Sequence, residues 1–359
     1  MIPRRAFLAS LLAAGAAPTL GWADVGNPSY IAAAKLADGS FALFGLAADG
    51  AQRFQVPLPA RGHAGAGHPT RAIAVAFARR PGTFALVLDC ASGEVLHRLH
   101  APDNRHFNGH GIFVDGGAVL LTAEQVSEGS AGRIGVWDAD KGFKRIGEFD
   151  SHGIGPHDLR LLPDGETLVI ANGGIQTDPH TRAKLNTETM RPNLTYMDQQ
   201  GNVLEQYELD EDLHQNSIRH LAMREDGLIA FAMQWEGEEN AAPPLLGLHR
   251  RGWDAPVLAE APLADELAMD AYAGSVAFTG SGDEVAITSP RGGRVHRFAP
   301  DGTFLGVVSR TDVCGLATHG NGFLASDGLG GLITIENGEA RPANRADCAW
   351  DNHIVPLSV

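Results

Sequence analysis

The chain has 359 residues with a formal charge of −15 at neutral pH, so its surface repels nucleic acid and anionic lipid and neither is expected as a partner. Three cysteines are too few for a disulfide framework at this length; Cys314 and Cys348 form one bridge or remain buried thiols. Forty-four glycines and scarce helical periodicity point to short strands joined by tight turns, an all-β architecture.

Arg4 and Arg5 stand directly before an apolar run from Ala6 to Ala17 that is too short to span a bilayer. Gly21-Trp22-Ala23 then offers small residues of the kind a signal peptidase reads. Arg4-Arg5-Ala6-Phe7-Leu8 fits the twin-arginine form of such a leader; a general secretory leader with two adjacent arginines is the plainer alternative. This reading divides the chain into a leader, 1–23, and a mature domain, 24–359, exported to the periplasm. No later segment is long and apolar enough to span a bilayer, so no membrane insertion is expected.

From residue 30 onward one hairpin type recurs. Phe41–Phe44 turns at Asp49-Gly50 into Phe54–Val56, and Phe84–Leu88 turns at Ser92-Gly93 into Val95-Leu96. The same pattern begins at Ile134, Leu194, Leu245, Val295 and Leu332, giving seven copies. Their spacing is that of propeller blades, and Asp-Gly, Asn-Gly and Ser-Gly supply the positive φ that tight hairpins need. A second hairpin precedes several of these, most plainly His157–Leu162, Asp164-Gly165 and Thr167–Ile170. Two hairpins make a four-stranded blade, and radial stacking of blades buries both sheet faces. The first blade opens at Tyr30–Ala34 as a second strand; His353–Leu357 supplies its missing innermost one. The fold class is therefore a seven-bladed β-propeller closed by its C-terminal strand.

Innermost strands line the axis, so residues far apart in sequence converge there. Histidines gather where those strands open: Gly109-His110-Gly111, Pro156-His157-Asp158, Arg219-His220 and Asn352-His353, with His63 and His68 in the Gly-rich lead-in to the second blade. His68, His110, His157, His220 and His353 are the candidate metal ligands. Imidazole suits iron, copper and zinc, and iron or copper is the cofactor expected here. Asp158 is placed to orient a ring from behind. The alternative is that these histidines satisfy backbone groups in a polar tunnel.

Arg71, Arg160 and Arg219 lie near the same strands and are candidates to grip an anion such as a carboxylate chelator, against simple pairing with Asp158 and other acids. The segment 173–193 is long for a connection between second and third strands. Read as a lid, it carries Asp178, His180, Arg182 and Lys184 over the mouth, with His180 and Arg182 as ligand-binding candidates. Trp235–Glu239 reads as a solvated acidic rim. No G-x-S-x-G elbow, H-E-x-x-H or P-loop is present, so enzymatic activity stays an open question.

The run Gly173-Gly174-Ile175-Gln176-Thr177-Asp178-Pro179-His180-Thr181-Arg182, continuing to Met190-Arg191-Pro192-Asn193-Leu194, resembles the DUF1513 family of exported bacterial proteins of unknown function. Phe77–Gly82 and Gly155-Pro156-His157-Asp158 also match it. Here Asp178-Pro179-His180 stands where the family commonly has His-Pro-Asp. The resemblance implies an association with iron-uptake gene groups that include imelysin-type periplasmic proteins, the partners expected. Three functions follow as expectations: a metal-binding propeller in iron acquisition or handling, a metal-dependent oxidoreductase at the same site, or a metal-free protein-interaction scaffold.

Overall fold

The computed structural model describes residues 20–357, apart from 80, 81, 83, 179, 180 and 182. The leader expected at 1–23 lies mostly outside them. Among the described residues, strands β1 to β28, numbered in chain order, form seven four-stranded sheets. Six are consecutive meanders whose inner strands are β4 (Gly62–Gly67), β8 (Arg105–Val114), β12 (Pro156–Leu161), β16 (Asn216–Met223), β20 (Ser275–Phe278) and β24 (Val313–His319). The seventh has the order β28-β1-β2-β3 and joins the two ends of the chain. In it β28 (Cys348–Pro356) pairs antiparallel with β1 (Tyr30–Leu36), from Tyr30 opposite Pro356 to Leu36 opposite Cys348. The chain is thus the seven-bladed, C-terminally closed propeller that its hairpin repeat predicts.

Alternating apolar residues from adjacent blades interlock between the sheets. One such layer sets Val169, Leu194 and Tyr196 against Ile218, Phe231 and Met233, all fully buried. Burying a side chain the size of Phe231 contributes roughly 1.5–3 kcal/mol. Gly247 lets that ring lie flat on the neighbouring strand; a Cβ there would come within 2.0 Å of it.

Two local features matter for the axis. Every inner strand except β20 slips register against its second strand. In β8 the chain advances from Phe107 to Gly111 while its partner moves only from Glu124 to Thr122, leaving Asn108, Gly109 and His110 in a bulge. Bulges of this kind re-aim side chains. The second feature is a short 3-10 helix, Trp22–Val25, docked on the propeller. Trp22 is buried, and its Nε1 donates to the His68 carbonyl at 2.8 Å; the boundary expected at residue 23 falls inside this helix. Among the described residues no helix is long and apolar enough to cross a membrane. Cys314 and Cys348 are unbridged, and burial pushes the Cys314 thiol up to about 12.

Candidate metal centre

The register slips place one histidine from each of five consecutive blades at the axis: His353 on β28, His63 on β4, His110 on β8, His157 on β12 and His220 on β16. Ring centroids are 4.5 Å apart for His63 and His353, 4.8 Å for His110 and His353, and 4.9 Å for His110 and His157. His220 lies 4.6 Å from both His157 and His353. Two sets of three, His63 with His110 and His353, and His110 with His157 and His220, bring their ligand atoms within 4.8 Å of one another. Gly109, at φ +96°, is required for the approach: a Cβ there would stand 2.6 Å from the His63 ring.

Two buried carboxylates stand behind this group. Asp351 accepts from His63 Nδ1 at 3.1 Å and from Arg61 Nε at 2.6 Å. Asp158 lies 3.4 Å from His110 Nδ1 and accepts from Arg160 at 2.6 Å and from the Leu221 amide at 3.0 Å. Burial alone would raise both carboxyls. For Asp158, the Arg160 charge and the His110 hydrogen bond hold it well below the usual range; for Asp351, the His63 hydrogen bond and the Arg61 charge do so. Such pairs fix the Nδ1–H tautomer and turn Nε2 inward.

The inward nitrogens are poorly satisfied by the protein. His110 Nε2, His157 Nδ1 and His220 Nδ1 are buried and have no hydrogen-bond partner. His63 Nε2 and His353 Nε2 face each other at 3.3 Å. Two imidazoles bound tetrahedrally at about 2.0–2.1 Å to one ion stand about 3.3–3.4 Å apart, so this pair already has a ligand-pair spacing. Burial lowers His63 to about 4 and carries His157, His220 and His353 well below their ordinary value. These four rings are neutral at pH 7, the form in which imidazole binds metal.

Of the histidines expected at the axis, the structure brings together His110, His157, His220 and His353 but not His68. His63 stands in its place. His68 falls just after β4, packs on Phe113 with ring centroids 5.1 Å apart, and its Nδ1 accepts the Thr70 and Arg71 amides at 3.1 and 3.0 Å. Arg71 Nε lies 2.8 Å from the other ring nitrogen, and Arg71 reaches Asp140 at 3.6 Å, so it is held away from the centre. Arg160 is at the centre, tied to Asp158 and to the Leu159 and Leu221 carbonyls. Arg219 is 4% exposed and pairs with Glu236 at 3.7 Å, while its Nε has no partner.

Glu236, expected on a solvated rim, is therefore mostly buried, and it also pairs with Lys184 of the 173–193 segment. The Gln215 side chain donates to the Thr187 carbonyl at 3.2 Å, tying the same segment to the start of the fourth inner strand. His180 and Arg182 lie outside the described residues. Asp351, which the sequence reading did not single out, also touches the group, through His63.

The seven-bladed propeller thus gathers at its axis five imidazoles, two of them backed by carboxylates, in groups that could hold a metal ion. The family described as protein of unknown function (DUF1513) matches residues 56–357, and the chain belongs to it. Among solved structures, Kuenenia stuttgartiensis hydrazine synthase is similar over 93% of this chain and 98% of that one, with a TM-score of 0.59. At 14% identity the likeness is one of fold alone. No curated protein matches the chain.

Proposed function

We propose that the protein is a periplasmic metal-binding propeller that takes part in iron acquisition or handling, its ion held by the axial histidines. The observation that carries this reading is the set of three buried nitrogens, His110 Nε2, His157 Nδ1 and His220 Nδ1, with nothing to bond. Each unsatisfied buried polar atom costs about 1–3 kcal/mol, and one cation relieves all three. An all-nitrogen set of imidazoles suits iron or copper, and the Asp158 and Asp351 pairs add the outer partners that such ligands keep. The assignment to iron and to imelysin-type partners follows the gene association implied by the family.

Elemental analysis of protein matured through its native export route tests this, beside a variant with His110, His157 and His220 all changed to alanine. Near-stoichiometric iron or copper in the wild type, and none in a folded variant, is the expected result. Metal absent from both leaves the interaction scaffold as the reading.

A further inference from the structure

Below the histidines, an axial cavity of about 420 Å³ opens onto them. His110, His220 and His353 form its inner end, and its walls are the residues that follow the histidines on the inner strands. Ala64, Gly111, Ala222, Ala277 and Ala317 keep it wide; Phe113, Met223 and Phe278 make its lower part apolar. Among the described residues, Asp158 and Arg160 are the only acidic or basic side chains in its lining other than histidine. Asp158 is spent on His110 and Arg160. Arg160 is 34% exposed at its side chain, and its bonds to Asp158, Leu159 and Leu221 use three of its five N–H groups. Its charge is felt at His353, which places it near the ring group.

Asn352 donates to the Tyr272 hydroxyl at 3.1 Å, and Glu236 joins Arg219 to Lys184. The cavity gives an approach to His110, His220 and His353.

Resting on the metal reading above, we propose that this channel delivers a small organic carboxylate to the ion: one carboxylate oxygen meets the ion, the other meets the spare N–H groups of Arg160, and a short apolar body lies against Phe113, Met223 and Phe278. A metal needs an open position to take an outside ligand, and three protein ligands leave one. A cation at the channel wall selects for a negative head, and the apolar walls favour a hydrocarbon body over a hydrated ion.

The test uses cobalt(II)-loaded full-length protein, with azide as probe of the open position and benzoate as probe of the head and body together. Both should shift the visible cobalt spectrum and compete with each other. Ala222→Phe places a ring in the channel, so azide association should slow by roughly tenfold or more because the ring must swing aside. Benzoate binding should be lost, with cobalt stoichiometry unchanged. Met223→Trp, at a half-buried position nearer the mouth, makes the same test if Ala222→Phe does not fold. Arg160→Gln should weaken benzoate about tenfold or more, as loss of a charged hydrogen bond does, and azide less. Stoichiometric cobalt whose spectrum ignores both probes, or equal azide and benzoate binding in wild type and the blocked variants, overturns the channel proposal while leaving the metal site standing. Failure to bind cobalt, iron or copper at all sinks the metal reading, and the channel proposal with it.

Discussion

Replacing His220 with leucine separates a metal centre from a polar tunnel, because the two readings give different signs. His220 is 3% exposed, its Nδ1 has no partner, and its ring touches those of His157 and His353. Leucine is close to it in volume and carries no polar atom. In chelator-treated protein, removing the unsatisfied nitrogen should therefore stabilise the fold by about 1–3 kcal/mol. Metal opposes that gain. At a free ion concentration about 1,000 times the dissociation constant, binding stabilises the wild type by about 4.1 kcal/mol. If losing one ligand weakens binding roughly 100-fold, the same ion concentration contributes only about 1.4 kcal/mol. Urea unfolding with and without metal gives both numbers. A His220→Leu variant that is destabilised without metal, by the 2–5 kcal/mol typical of a disrupted core, and that keeps the full metal increment, would refute the argument from unsatisfied nitrogens.

Asp351→Asn should keep the shape of the site but weaken the hold on His63, lowering metal affinity about 10–100-fold in a chelator competition. His68→Ala should leave metal stoichiometry unchanged while costing about 1–3 kcal/mol of stability through the stranded Thr70 and Arg71 amides, read by chemical denaturation. His296 is fully buried with both ring nitrogens unpartnered, and burial lowers it to about 4. Its folded value lies below its unfolded one of about 6.5, so the stability of the neutral form is complete above about 6.5 and declines as the pH falls toward 4. His296→Leu should flatten that part of the acid limb in a pH series of melts; an unchanged slope would assign the loss to other groups.

The propeller was legible because its outer hairpins are regular: alternating apolar residues meet a glycine-bearing turn seven times over. Four of the five axial histidines were legible because each stands at or near the opening of a recognisable strand. His63 was harder. Its strand, Gly62-His63-Ala64-Gly65-Ala66-Gly67, is glycine and alanine apart from the histidine, and such a run has little β-propensity to announce it. With β4 unseen, His63 and His68 read alike as parts of a Gly-rich lead-in, yet His63 is on the strand and His68 lies beyond its end. Asp351 was hidden for another reason. It lies in the β28 register slip, between Trp350 and Ile354, and a slip depends on how two distant strands pair. The channel was invisible for the same reason, since its alanines and glycines face a common axis only once all the blades are in place.

The closing strand β28 carries His353 and also Asp351, which orients His63, so two of the five imidazoles depend on the last strand to be made. Until β28 zips onto β1, the centre has neither His353 nor an anchored His63. On the proposed metal reading, ion capture would follow completion of the ring, and chains cut short before residue 348 would lack His353 and the Asp351 partner of His63. An ion held instead by the other group of three, His63, His110 and His353, would tie the C-terminal strand to the next two blades. It would act as a latch on the seam of the ring, slowing the peeling of β28 from β1 by which the circle would otherwise open.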